Sequence, residues 1–362
     1  MKHGSIFHDY DWWLLAITAA ICSMGVVEIW SATHASHLAG MEWKQIWWIG
    51  LGLTGMLVLS LLDYHAVLEK APILYVVALI ALVTVLAVGH TRFGAKRWLP
   101  VLGQFLQVSE LAKLIIIIVL ARFFTDVRTD RLSLTDLCKA GAITGLPLLL
   151  ILLQPDLGTA MVLVPVAVVG AFLAGVQWKH AAALVLIGAM MLPVGWHHLK
   201  PYQKDRVTTF LRPEDDPKGS GYQILQSKIA VGSGGFWGKG LGNGSQNQLG
   251  FVPVRYSDFI LAALAEETGF AGVFVALLLY TALLLRLIQN AQRAKDRAGM
   301  FLVMGVAAIL GFHVLVNVAM VIGFMPVTGI PLPLMSYGGS ATLFVFLALG
   351  LVMNVRLRRF VN

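Results

Sequence analysis

Charge is what this chain has least of. Asp, Glu, Lys and Arg make up 13% of its 362 residues and hydrophobic types 58%, where a soluble domain is about a quarter charged. An ordinary soluble fold is therefore excluded. A mean hydropathy of +0.78 and recurrent apolar runs long enough for a hydrocarbon core of about 30 Å point instead to a multi-span membrane protein. The runs lack the alternation of barrel strands, so they are helices, which satisfy their backbone internally in lipid. Cysteine is scarce too: Cys22 falls in the first run and Cys138 in a basic loop, which argues against a disulfide. No metal motif stands out, since the histidines form no HExxH and His197–His198 has no carboxylate at ligand spacing. Nor is an inverted repeat of the transporter kind visible.

Ten helical spans are expected, at Trp12–Ala32, Lys44–Leu62, Pro72–Gly89, Gln107–Phe124, Gly141–Leu153, Gly158–Val176, His180–Trp196, Asp258–Ile288, Met300–Gly323 and Leu332–Val355. The first lacks an A-x-A cleavage site and reads as a permanent span. Between the fifth and sixth, Gln154–Pro155–Asp156 interrupts the apolar run, because proline disfavours helix at the residue before it. With the N-terminus inside, the short inner loops hold fourteen Lys and Arg, and the short outer loops only Lys44, Arg92, Lys96 and Arg97. By the positive-inside rule both termini are cytoplasmic. The expected fold is thus an all-α integral membrane protein, one polytopic domain over residues 1–362.

That orientation places the long loop, His197–Ser257, outside the cell membrane. Its eight basic residues against four acidic ones ask for an anionic partner. Nucleic acid is not that partner, since no binding module is present. Within the loop, Tyr222, Leu225 and Ile229 recur at helical spacing in Gly221–Val231, which reads as a short surface helix. Gly232–Gly250 follows with eight glycines in nineteen residues. Such a backbone either makes turns or approaches a ligand closely. It is no phosphate-binding P-loop, because Lys239 is followed by Gly240 and position 233 is Ser.

A few polar residues are costly where they stand. Glu110 and Lys113 share a helix face in the fourth span, either as a structural ion pair or as the lining of a polar pocket. Asp156 suits an N-cap of the sixth span, with a cavity role open beside it. Pro331–Ser340, with Ser336 and Tyr337, precedes the last span with prolines and a Gly338–Gly339 pair. It forms a turn, or presents amides to an anion. Asp258 is the sharpest candidate. At the start of a helix the dipole favours its charged form, the form a general base needs; the plainer reading is a helix-terminal acid.

These segments together resemble the SEDS family (shape, elongation, division and sporulation) of bacterial cell-wall polymerases, and its elongation members more than its division members. The resemblance runs nearly end to end: Gly94–Leu99, Gln107–Leu114, Gln154–Ala160, Arg212–Gln223, Gly232–Ile260 and Pro331–Ser340. The chain departs from the family pattern at Val108, usually Pro, and at Val254, Tyr256 and Ser257 before the aspartate. The resemblance implies a peptidoglycan glycosyltransferase of the cytoplasmic membrane, polymerising lipid II on the outer face. Asp258 matches the family's essential aspartate and is expected to act as base on the GlcNAc 4-hydroxyl. Lys96, Arg97, Arg212 and Arg255 are candidates for the pyrophosphate, with Glu110, Lys113 and Asp156 lining a cavity below. The resemblance also implies a divalent cation, Mg or Mn, with its ligands open. It implies as partners a class B penicillin-binding protein and other elongation-complex proteins. A lipid II flippase and a scaffold for a transpeptidase are the competing readings.

Overall fold

The computed structural model describes residues 10–360 except 35, 37, 93–94, 102–103, 128–130, 199–200 and 217–218. Lys2, Arg128, Lys200 and Lys218 of the charge pattern, and Gly94 of the first family segment, lie outside the described residues. The chain runs through α1 (Trp12–Thr33), α2 (Met41–Leu61), the short α3 (Tyr64–Glu69), and α4 (Ala71–Val88). Strands β1 (His90–Arg92), β2 (Ala95–Val101) and β3 (Gln104–Gln107) lead into α5 (Val108–Asp126), α6 (Leu134–Leu153), α7 (Leu157–Leu173) and α8 (Trp178–His198). The long loop carries α9 (Pro201–Leu211), α10 (Ser220–Ser233) and one turn, α11 (Ser245–Gln248). Then come α12 (Ile260–Gln292), α13 (Arg297–Val321) and α14 (Gly339–Leu357).

All ten expected segments are helical, and among the described residues seven helices are both long and apolar enough to cross a membrane. Helices α7 and α8 hold shorter apolar stretches, and α5 carries Glu110, Lys113, Arg122 and Asp126. The centre of the bundle is α13 and α14, whose residues are mostly buried. Helix α14 lies along α2, and α13 is surrounded by α5, α7 and α12. By contrast α8 exposes nearly every residue described, with Trp178 at 82% and Val185 at 73%. It stands away from the bundle with apolar surface all round, as a helix in lipid does.

The fold is nearly all-helical, as expected, with one small addition: β1, β2 and β3 form an antiparallel sheet, with Trp98 paired to both His90 and Gln107. Backbone groups between spans still need partners, and a small sheet supplies them. Helix α6 begins at Leu134 rather than Gly141, because Ser133 caps it by accepting from the Asp136 amide. Helix α14 begins at Gly339 rather than Leu332, since Pro331 and Pro333 keep the preceding chain irregular. On α10 the positions buried against the bundle are Gly221, Ile224, Ser227 and Ala230, and the apolar Tyr222, Leu225 and Ile229 lie on the opposite face. Small residues let it seat closely on α12 and α13, where Ser227 donates to the Val321 carbonyl at 2.8 Å.

A further correction concerns α12, which is two helices. Gly269 breaks it with φ 67° and ψ −165°, so a wholly buried half-helix, Ile260–Glu267, precedes the outward part. At the break an added Cβ would lie 2.6 Å from the Phe236 carbonyl oxygen, against the glycine-rich loop. Gly269→Ala combines a left-handed φ with this backbone clash, so thermal unfolding in detergent is expected to show a loss of at least about 1–3 kcal/mol. Gly141→Ala, with nothing within 4 Å of its added Cβ, is the control that leaves the midpoint unchanged.

Candidate functional site

Asp258 lies in a turn ahead of α12, not on the helix. Phe259 occupies the cap position and no side chain caps α12, so the dipole has less hold on this carboxylate than the sequence suggests. Its one described side-chain hydrogen bond is from Ser257 Oγ to Oδ1, at 3.0 Å. Burial is the dominant influence and raises the carboxyl above the ordinary aspartate value of 3.8. The Ser257 hydroxyl and the Arg206 guanidinium oppose it. The group therefore favours folding at low pH, and that contribution is lost as pH rises from 3.8 through the folded value.

The turn bearing Asp258 rests on the irregular chain before α14. Asn317 of α13 donates both amide hydrogens to it: one to the Asp258 carbonyl at 2.9 Å, one to the Ile330 carbonyl at 2.8 Å. Ser336 Oγ donates to the Ser257 carbonyl at 2.7 Å and accepts from the Leu332 amide at 2.8 Å. The Tyr337 amide donates to the Tyr256 carbonyl at 2.9 Å, and the two rings meet edge-on at 5.9 Å. Gly329 brings its backbone beside the carboxylate, for its added Cβ would be 3.5 Å from Oδ2. Ser336 and Tyr337 thus meet the Asp258 turn, and they shape it through the backbone.

The other predicted residues fall around this centre. Asp156 caps α7, accepting from the Thr159 amide at 3.2 Å and hydroxyl at 2.9 Å. It also accepts from Gln107 at 2.9 Å and faces Arg97 at 3.5 Å. Arg97 donates further to the Gln154 and Pro155 carbonyls. Lys96 sits beside it in β2, its side chain outside the described residues. Only the segment around Thr328 and Gly329 separates this group from Asp258: Gly158 abuts the Thr328 carbonyl on one side and Gly329 abuts Asp258 on the other. Glu110 and Lys113 form a buried pair at 2.8 Å, sunk in the bundle beneath. Arg255 is committed to α1, donating to the Ala32 carbonyl at 2.9 Å. Arg212 is exposed just beyond α9, and the arginine whose charge acts on Asp258 is Arg206, on α9 itself. Sequence reading missed Arg206 and Asn317, since neither stands in a segment that singles it out.

The glycine-rich loop spends its freedom on α12. Glu266 accepts from Lys239 at 2.7 Å and from the Gln246 and Asn247 amides at 2.9 Å each. Glu267 accepts from Ser31 at 2.5 Å, the Gly242 amide at 3.1 Å and Asn247 Nδ2 at 2.6 Å. Two buried carboxylates therefore lace the loop, α1 and the half-helix together. Gly244, whose added Cβ would come within 2.7 Å of Glu266 Oε2, allows that approach.

Fold and site define a multi-span helical membrane protein with a partly buried carboxylate, flanked by arginines, at one end of its bundle. The FtsW/RodA/SpoVE family of cell cycle proteins matches residues 12–359, and the chain belongs to that family. Peptidoglycan glycosyltransferase MrdB of Escherichia coli K12 is 40% identical over 348 residues, 96% of this chain and 93% of that protein. Peptidoglycan glycosyltransferase RodA of Treponema pallidum is 32% identical, covering 97% of this chain and 98% of its own. Among solved structures, the rod shape determining protein RodA of Thermus thermophilus has a TM-score of 0.74 at 31% identity, with 98% of each chain covered. A chain from a peptidoglycan synthase complex that coordinates polymerization and crosslinking has a TM-score of 0.84 at 36% identity, covering 98% of this chain and 99% of that one.

Asn317→Leu strips two buried carbonyls of their donor, an expected loss of about 2–3 kcal/mol in thermal or urea unfolding. Thr281→Val, which removes an exposed hydroxyl, leaves the midpoint unmoved.

Proposed function

We propose that this chain is a peptidoglycan glycosyltransferase that polymerises lipid II during cell elongation, with Asp258 as the general base. The observation that carries the assignment is Asp258 itself: a partly buried carboxylate on a turn braced from three sides, near an arginine charge and at the convergent end of the helices. In the reaction, the GlcNAc 4-hydroxyl oxygen of one lipid II bonds to the sugar carbon that bears the pyrophosphate of another. The carbon–oxygen bond to pyrophosphate breaks, and the hydroxyl proton passes to the carboxylate. Raising the carboxyl by burial strengthens it as a base. The leaving pyrophosphate needs positive charge. We assign that charge to Arg206, whose guanidinium acts on Asp258, with Lys96, Arg97 and Arg212 the remaining candidates from the loops.

The exposed, apolar α8 supports a lipid-linked substrate, because undecaprenyl chains can lie between it and the bundle. We place the termini in the cytoplasm and the loop at residues 197–257 on the outer face, on the lysine and arginine pattern of the short loops. Among the described residues no group of three His, Cys, Asp or Glu side chains is placed to hold a metal. A magnesium or manganese ion, if bound, would have Asp258 as a carboxylate to hold it and would supply neutralisation of pyrophosphate charge, and no step above depends on it. A class B penicillin-binding protein and other elongation-complex proteins are the partners this reading implies.

Purified protein supplied with lipid II, alone and with the transpeptidase partner, should form glycan polymer, which a flippase or a scaffold would not. Asp258→Asn is expected to lower the rate by about 10²–10⁴; a wild-type rate in that variant would falsify the base. The acid limb of kcat/KM should lie above pH 3.8. Arg206→Gln removes an interaction that lowers the carboxyl, so the limb is expected to move to higher pH.

A further inference from the structure

One buried group beneath the site has no part in the chemistry above. His313 is 2% exposed and stands one turn before Asn317, on the same face of α13. Its Nε2 lies 3.3 Å from Lys113 Nζ. An ammonium only donates, so Nε2 accepts and the imidazole proton sits on Nδ1. Lys113 meanwhile binds Glu110 at 2.8 Å and lies 4.4 Å from the centre of the Phe344 ring on α14.

His313 and Asn317 are therefore two rungs of one ladder on α13, one turn apart. The upper rung, Asn317, carries the Ile330 and Asp258 carbonyls. The lower rung, His313, is fastened to the ion pair deep in α5. An apolar filler at 313 would leave one ammonium proton of Lys113 unpaired in the core.

We propose that His313 is a positioning residue for this enzyme: its imidazole ties α13, one turn before Asn317, to the Glu110–Lys113 ion pair and so sets where the Asp258 turn stands. The kinetic part rests on the reading of Asp258 as the base; the mechanical part does not. A base displaced by about 1 Å loses up to 10²-fold in rate.

The test uses the full-length protein in detergent with His313→Phe, His313→Gln and Lys113→Met. Hydrogen exchange in peptides covering residues 252–260 and 326–337 should quicken by about tenfold in His313→Phe, with α1 and α2 unchanged. For lipid II polymerisation, kcat should fall roughly ten- to a hundredfold at little change in KM. His313→Gln keeps an amide acceptor and donor and should recover much of both. Because the two side chains act as a unit, His313→Phe with Lys113→Met should cost no more than the larger single effect. Unchanged exchange in both segments overturns the proposal, as does a double loss equal to the product of the single ones. Equal loss of activity and folded protein in Phe and Gln variants alike also overturns it. Should Asp258→Asn polymerise normally while exchange still quickens in His313→Phe, the base assignment fails and the mechanical link stands.

Discussion

Backbone that is not helical must find hydrogen-bond partners inside a membrane protein, and this structure is organised around one such stretch. Between α13 and α14, residues 322–338 lie among apolar helices, where unpaired N–H and C=O groups cost several kcal/mol each. Side chains from several elements meet the need. Tyr280 donates to the Pro333 carbonyl at 2.6 Å, and Asn317 to Ile330. Gln45 donates to the Ser336 carbonyl at 3.3 Å and accepts from the Gly338 amide at 3.3 Å. Each partner comes from a different span, so satisfying this one segment ties α2, α12, α13 and α14 together. The Asp258 turn is then bonded onto the same segment and inherits its fixed position.

A second consequence concerns where charge is kept. The buried carboxylates have separate tasks set by their surroundings. Glu266 and Glu267 are saturated by amides, hydroxyls and Lys239, which makes them structural anchors for the loop. Asp156 is capped into α7 and held by Arg97 and Gln107. Asp258 has one hydroxyl and a nearby arginine charge, leaving lone pairs free for a proton from elsewhere. Burial raises the basicity of this carboxylate.

Much of the fold was legible in the sequence because hydrophobic length is a local property. The ten helices follow from runs whose ends are marked by Pro, Gly and polar residues, and α10 follows from helical spacing. The errors fall where partners are distant. Spacing marked Tyr222, Leu225 and Ile229 as the apolar face of a surface helix, but it could not show that α10 seats on α12 and α13 through the smaller Gly221, Ser227 and Ala230. The sheet at β1–β3 was missed because its pairing lies within a segment with no long apolar alternation. Nor did a continuous apolar run reveal that Gly269 turns α12 into two helices, since the break answers to the Phe236 carbonyl of the loop packed against it.

For the site, the motifs marked Asp258, Asp156, Glu110, Lys113, Ser336 and Tyr337, but they did not distinguish their work. Sequence by itself determined the membrane class, the helical segments, and which polar residues are too costly in a bundle to be incidental. Only the tertiary structure decided that Arg206 is the charge that reaches Asp258, that Arg255 is bound to α1, that Asn317 holds the Asp258 turn, and that His313 meets the buried ion pair. The reason is physical. Hydropathy and helix periodicity act over a few turns of one chain segment, whereas hydrogen bonds and charge act across whatever distance folding removes.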